Sequence, residues 1–455
     1  MASDRALKHA TIVAGGLGSR AHAMTGDRIP KALLPVAGKP ILFRQLEVLA
    51  REGVQEVTIL AGHLGDQLSP AITAAGIVAP RVRVVVEREP LGTAGCLSAL
   101  KGLGQDSLIV YGDMLFDMDL SRLAAFQAAH AALLTIVAHP NDHPETSDLL
   151  VERDGLVKQI LPAKTPRRGD FRNLVPAGLY AATPAFFDRL ADGVKADMIH
   201  DVLPALIAKG EIIGVYNTPE YLRDVGTAKR HGMAEADLAS GRVARESQRH
   251  ARPAIFFDVD GVLNEDPGGH GVLHEDQVVL VPGAAEALRL ALDAGYLAVG
   301  ITNRPQLAKG LMDRDGLARI LGRLETLLAR DGAWLNRIYF CPHHPEKGHP
   351  GEVPELKIVC RCRKPAPGLL EDAARDLNID LSRSALIGDS LRDISAARAV
   401  GVTGYGVRTG YACADAAKYP DGDKIEAPVM FPSVLEAVQF ITARAPEGLS
   451  GELPA

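Results

Sequence analysis

Cysteine is scarce in this 455-residue chain, at five residues. Basic charge is not in excess either. Fifty Lys and Arg stand against 56 Asp and Glu, a formal net charge of −6. A nucleic-acid partner normally leaves a basic patch, so that class is set aside. No stretch approaches the roughly 20 uninterrupted apolar residues of a membrane helix. The opening MASDRALKHATIVAGG lacks the charged region and apolar run of a signal peptide. A cytoplasmic protein without membrane partners is expected, and in that compartment five thiols do not make a disulfide framework.

What is present is the balance of a folded globular protein, 47% hydrophobic and 23% charged residues. The length suits two domains rather than one core. Short β-rich runs at 10–14, 56–61, 82–86 and 107–111 alternate with helical patterns such as 41–52. The alternation restarts at AIFFDVDG from 254, with a helix at about 283–294, then strands at 297–302, 338–340 and 384–389. Strands alternating with helices predict mostly parallel sheets covered on both faces, so the expected class is α/β with two doubly wound domains. The polar stretch 240–253 reads as a linker and 446–455 as a loose tail, leaving domains at 1–239 and 254–445.

In the first domain the strand at 10–14 runs into Ala14-Gly15-Gly16-Leu17-Gly18-Ser19-Arg20. Glycines let backbone N–H groups approach a phosphate, and the following cation adds charge. Singly these glycines are turn residues, and the spacing is neither a dinucleotide fingerprint nor a Walker A loop. Lys31 between Pro30 and Pro35 is a fixed cation for a polyphosphate. Asp113 ends a strand where α/β folds bind ligands, and Asp224 offers a second hard carboxylate for Mg²⁺. The ordered set AGGLGSR (14–20), PKALLPV (30–36), LGTAG (91–95), YGD (111–113) and DVGT (224–227) resembles the sugar-phosphate nucleotidyltransferase family. The resemblance implies that Gly15, Gly16, Gly18, Arg20, Gly92 and Thr93 hold the nucleotide, and that Lys31 and Arg20 act on its phosphates. It implies that Asp113 and Asp224 hold Mg²⁺ and that Lys164, Gly178 and Tyr180 meet the sugar phosphate. Pro176-Ala177-Gly178 departs from the family's Asn-Ala-Gly, and Ala163-Lys164-Thr165-Pro166 from its Glu-Lys-Pro element. Chemically, a sugar 1-phosphate oxygen attacks the α-phosphorus of an NTP and expels pyrophosphate, so the protein aligns two anions and neutralises charge.

In the second domain Asp258 and Asp260 follow an apolar strand two residues apart. Such a pair divides labour, one carboxylate attacking phosphorus and the other moving protons, with Mg²⁺ between crowded charges. Thr302-Asn303, Arg363-Lys364 and Asp389 with Asp393 add phosphate-binding groups and further carboxylates. Together these resemble the haloacid dehalogenase superfamily. The resemblance implies Asp258 as nucleophile, Asp260 as general acid/base, and Thr302, Asn303, Arg363 and Lys364 on phosphate. Asp258, Asp260 and Asp389 are the implied Mg²⁺ site, supported by Asp393. No long cap separates Asn264 from Thr302. Cys341, His343, Cys360 and Cys362 make C-x-H and C-x-C pairs, a closed tetrahedral set for structural Zn²⁺, with His343 favoured by spacing over His344. With the metal included, the resemblance narrows to the histidinol-phosphate and heptose-bisphosphate phosphatase branch. Departures are Val259, Val262 and Arg304-Pro305.

A heptose-bisphosphate phosphatase produces the sugar 1-phosphate that a nucleotidyltransferase consumes. The expected function is removal of the 7-phosphate of D-glycero-D-manno-heptose 1,7-bisphosphate, then guanylyl transfer from GTP to the product. The guanine preference rests on resemblance to heptose-1-phosphate guanylyltransferases. The alternatives are another seven-carbon sugar or cyclitol phosphate, another NTP, or one domain acting as a non-catalytic regulator.

Overall fold

The computed structural model describes residues 6–16, 22–26, 28–165, 167, 169–418 and 425–444. Gly18, Arg20, Pro166 and the tail expected at 446–455 lie outside the described residues.

Nineteen strands appear among those residues. In chain order they are β1 (His9–Ala14), β2 (Pro35–Val36), β3 (Lys39–Pro40), β4 (Glu56–Ala61), β5 (Arg81–Val86), β6 (Ser107–Tyr111), β7 (Met114–Asp117), β8 (Leu134–His139), β9 (Leu149–Arg153), β10 (Leu156–Leu161), β11 (Val175–Ala182), β12 (Ile213–Asn217) and β13 (Tyr221–Asp224). The second half adds β14 (Ala254–Phe257), β15 (Leu297–Asn303), β16 (Arg337–Cys341), β17 (Ala385–Gly388), β18 (Thr403–Val407) and β19 (Val429–Phe431).

The first half is built on a nine-stranded sheet in the order β5-β4-β1-β6-β11-β8-β12-β10-β9. Its β5-β4-β1-β6 part is parallel, as the alternation predicts. The rest departs from that expectation, because β11 runs antiparallel to both β6 and β8 and the β10 pairings are antiparallel too. The second half is a six-stranded, wholly parallel sheet in the order β16-β15-β14-β17-β18-β19. Side-chain alternation along β14 explains its central place. Ile255 and Phe257 enter one buried cluster, Ala254 and Phe256 another on the opposite face. Both halves are thus three-layered α/β units. Among the described residues no helix is long and apolar enough to cross a membrane.

The helix Arg314–Arg330 is capped by Asp313, which accepts from Gly316 N. Leu317, Ile320, Leu321, Leu324 and Leu328 bury one face in the core of the second half. Its other face carries Glu325 and Thr326 toward the first half. There Glu325 takes a bidentate pair from Arg172 (2.8 and 3.0 Å) and a hydrogen bond from Asn173 N at 2.7 Å, while Phe171 N donates to Thr326 Oγ1 at 3.0 Å. The stretch read as a polar linker, 240–253, contains the helical turn Arg242–Arg245 and buries Val243, Ser247, Gln248 and Arg252. Gln248 Nε2 donates to Asp376 O at 3.1 Å and Asn378 Nδ2 to Gln248 O at 2.7 Å, stitching the connector to the second half.

Candidate active sites

The first site is an open cleft of about 750 Å³ lined by Thr93, Tyr111, Asp113, Gly178, Tyr180 and Asp224. The β6–β7 turn delivers Asp113, and β13 pairs antiparallel with β7, which sets Asp224 opposite Met114. Lys31 opens a short 3₁₀ turn after Pro30, and its ammonium forms an ion pair with Asp113. The expected phosphate cation and the expected metal carboxylate therefore hold each other. Asp224 Oδ2 accepts from Arg230 Nη1 at 2.6 Å, and its Oδ1 from Gly226 N at 3.1 Å. Arg230 was not read from the sequence. Its signal was its place three residues past the Thr227 cap, in the first turn of the helix that follows Asp224.

Gly15 sits where a Cβ would lie 2.7 Å from Glu87 Oε2, so the loop after β1 passes close to that carboxylate. Gly178 has φ 73°, and a side chain there would meet the Tyr111 ring at 2.9 Å, which fixes glycine at this wall of the cleft. Tyr111 and Tyr180 hydroxyls lie 3.3 Å apart. Gly92 and Thr93 pack on the 194–198 segment, with Thr93 Oγ1 donating to Asp197 at 2.9 Å and accepting from Met198 N at 2.9 Å. Thr93 thus borders the cleft while its hydroxyl holds a neighbouring segment. Lys164 is exposed, and its neighbour Ala163 lines the cleft.

The second site is buried charge. Asp258 follows β14, Thr302 and Asn303 end β15, and Asp389 follows β17, so the three parallel strands deliver their residues to one sheet edge. Lys364 Nζ, fully buried, lies 2.8 Å from Asp258 Oδ1 and 2.8 Å from Asp393 Oδ1, and donates to Ile301 O at 3.0 Å. Oxygens of Asp258, Asp389 and Asp393 all fall within 4.8 Å of one another. Burial, then the neighbouring charges of Asp258 and Asp393, push the Asp389 carboxyl up to about 8. Burial and Asp258 push Asp393 up to about 6. Burial also raises Asp258, but Lys364 and Arg392 outweigh it and hold that carboxyl below its usual range. Asp389 Oδ1 is buried without a hydrogen-bond partner among the described residues. Three crowded carboxylates with an orphaned oxygen fit a hard cation. Gly261 (φ 87°) permits the arrangement, since a side chain there would overlap Asp389 Oδ2.

Two of the expected site residues take partners that the sequence did not indicate. Asp260 is not in the three-carboxylate group, which contains Asp393. The Asp260 carboxylate is held instead by Arg304 Nη1 (2.8 Å) and Asn264 Nδ2 (2.9 Å), with burial raising its pKa and Arg304 opposing that. Asn303 faces the backbone of Lys364, donating to its carbonyl at 3.0 Å and accepting from its N–H at 3.1 Å. These two bonds fix the backbone of the lysine. Thr302 is buried beside it, and Arg363 Nη1 donates to His343 O at 3.3 Å. The fully buried Arg304 stood in the sequence only as a departure after Thr302-Asn303, and a carboxylate partner for it is visible only in the fold.

Cys341, His343, Cys360 and Cys362 converge, with sulfur separations of 3.2 to 3.6 Å and His343 Nδ1 3.3 Å from Cys362 Sγ. Bonds of about 2.3 Å to a tetrahedral zinc put sulfurs roughly 3.7 Å apart, so the spacing fits a closed site. His343 faces the cluster, as the C-x-H spacing predicts; His344 stacks edge-on with His349.

Residues 9–240 match the family model for nucleotidyl transferases, and residues 361–437 match a HAD-hydrolase-like model. The D-glycero-beta-D-manno-heptose-1,7-bisphosphate 7-phosphatase of Yersinia pestis is 39% identical over 160 residues, 35% of this chain and 81% of that protein. The Haemophilus ducreyi protein of the same description is 36% identical over 193 residues, 42% of this chain and 98% of its own. Among solved structures, HddC from Yersinia pseudotuberculosis complexed with GMP-PN is similar at 23% identity and TM-score 0.44, covering 51% of this chain and 100% of its own. The chain belongs to the nucleotidyl transferase family through residues 9–240 and to the HAD-like phosphatases through its C-terminal half, and is a bifunctional enzyme.

Proposed function

We propose that the C-terminal half removes the 7-phosphate of D-glycero-D-manno-heptose 1,7-bisphosphate and that the N-terminal half transfers a guanylyl group from GTP to the heptose 1-phosphate. The observation that carries this reading is the union, in one chain, of a nucleotidyl transferase with a half 39% identical to heptose-1,7-bisphosphate 7-phosphatases. The first product is the second substrate.

Asp258 Oδ1 is engaged by Lys364 and by Val259 N at 2.7 Å, so Oδ2 is the oxygen that attacks phosphorus. The P–O bond to C7 breaks, and Asp260 supplies the proton to the leaving oxygen. Water then hydrolyses the aspartyl phosphate, with Asp260 taking its proton. Lys364 neutralises charge on the transferring group, and Asn303 keeps the lysine in place. Mg²⁺, held by Asp258 and Asp389 with Asp393 adjacent, supplies further charge neutralisation when bound. Zn²⁺ on Cys341, His343, Cys360 and Cys362 pins the loop that carries Arg363 and Lys364. In the cleft, Asp113 and Asp224 are two carboxylates, a number that suits Mg²⁺ completed by substrate phosphates. Lys31 exchanges Asp113 for the triphosphate, which the glycine loop from Gly15 cradles.

Heptose 1,7-bisphosphate with GTP and Mg²⁺ should yield phosphate first, then pyrophosphate and the sugar nucleotide. Asp258→Asn should make no sugar nucleotide from the bisphosphate and normal amounts from heptose 1-phosphate. A wild type inert toward both heptose phosphates sinks the substrate assignment, and a mutant that nucleotidylates the bisphosphate at full rate sinks the order.

A further inference from the structure

The cleft around Asp113 does not end within the first half. Beyond the Asn141–Asp148 loop it is lined by Arg289, Leu292, Trp334 and Asn336, all from the phosphatase half. That loop is itself fixed from across the junction. Asn141 N donates to Asn173 Oδ1 at 3.1 Å, and Asn173 Nδ2 returns a bond to Asn141 O at 2.7 Å. Asn173 N in turn donates to Glu325 Oε2 at 2.7 Å, and Glu325 is held by the bidentate Arg172. From Asn141 the connection continues inward. Its Oδ1 accepts from His143 N at 3.1 Å, His143 Nε2 lies 3.3 Å from Arg230 Nη2, and Arg230 binds Asp224. Every member of this series is buried or half-buried except His143, at the cleft mouth.

We propose that the phosphatase half completes the acceptor end of the nucleotidyltransferase cleft, with Glu325 as a positioning residue for the Asn141–Asp148 loop and with Trp334 and Arg289 as its outer wall. The occupant of this end is the sugar 1-phosphate, because Gly178 and Tyr180 line the same cleft, whereas Gly15 and Lys31, assigned above to the triphosphate, do not. This rests on the nucleotidyl transfer proposed above. Ligand clefts commonly lie where two domains meet, and a wall displaced by about 1 Å weakens alignment by up to roughly 100-fold. A carboxylate that accepts three hydrogen bonds at a buried junction fixes such a wall firmly.

The test uses the full chain. Glu325→Ala should raise KM for the sugar 1-phosphate by about tenfold, with kcat, KM for GTP and phosphate release within about twofold of wild type. Glu325→Gln, which still accepts from Asn173 N, should recover part of that loss. The exposed Arg289→Ala, which carries little risk to folding, should raise the same KM and no other constant. Amide exchange needs no substrate. In Glu325→Gln and Glu325→Ala it should accelerate at 141–148 and stay unchanged in β1 and β4. Unchanged exchange at 141–148 in both variants overturns the clamp. A rise in KM for GTP equal to that for sugar, or a loss of kcat alone, overturns the assignment to the acceptor end. If heptose 1-phosphate proves not to be the acceptor, the substrate named above falls while these variants are read on the sugar 1-phosphate that is turned over.

Discussion

The two sites handle charge in opposite ways. In the cleft, Lys31 and Asp113 are paired at a partly exposed surface, their side chains 19% and 18% accessible. In the phosphatase half, Lys364, Asp389 and Asp393 are out of water altogether, and the lysine serves two carboxylates at once. In the proposed reaction the more accessible pair separates at smaller cost when a triphosphate arrives, because water still reaches both groups. The buried set cannot separate, so its geometry is fixed before substrate enters and any missing member leaves charge stranded in a low-dielectric interior. On that proposal one site is assembled by its substrate, the other by its own fold. A further asymmetry reinforces this, since among the described residues the cysteine-histidine cluster lies only in the phosphatase half.

The largest effect should come from that cluster. Cys360→Ser should lose about one bound zinc per chain by elemental analysis and cost the phosphatase half on the order of 5 kcal/mol or more, while the first half still unfolds at its own midpoint. A protein that never holds zinc would remove the staple from the comparison. Next, Lys364→Met should destabilise the metal-free protein by about 3–5 kcal/mol, against less than about 1 kcal/mol for Lys31→Met. Urea unfolding resolves the two, and equal costs would mean that both sites are assembled alike.

The smallest effect lies between the halves. Glu220 accepts from Asp119 N at 2.7 Å and, in the buried connector, from Gln248 N at 3.0 Å, yet burial pushes its carboxyl up from 4.5 to about 7. A raised carboxyl favours the neutral form in the fold. Its contribution is complete below the unfolded value near 4.5 and is lost as pH rises through about 7. Wild type should therefore weaken relative to Glu220→Gln between pH 5 and pH 8, by up to about 3 kcal/mol. Parallel urea midpoints for the two proteins across that range would rule this out.

The parallel strands were legible because their apolar runs are short, bounded and followed by helical spacing. The expected 10–14, 56–61 and 107–111 correspond to β1, β4 and β6. The antiparallel half was not read, although one signal was present. Asp154-Gly155 between β9 and β10 adopts positive φ at both residues, the turn that such a dipeptide favours between alternating strands. Motif order revealed the carboxylates and the cysteine-histidine cluster, since their chemistry is carried by residue type. It did not reveal which partner each charge takes. Arg304 is 44 residues from Asp260, and Glu325 is 153 from Arg172, so only folding brings those pairs together.

The connector and the junction also decide where an intermediate can travel. Asp258, Asn303 and Asp389 occupy the C-terminal ends of their strands, whereas the residues that wall the neighbouring cleft, Leu292 and Trp334 among them, precede β15 and β16 and so stand at the opposite edge of the same sheet. For the proposed pair of reactions, a sugar phosphate released at one edge emerges facing away from the cleft that consumes it. It mixes with the surrounding solution before it is captured, so unlabelled heptose 1-phosphate in the medium dilutes the isotope carried from labelled bisphosphate. What the covalent union fixes is stoichiometry, one consumer made for every producer, with the traffic between them left to diffusion.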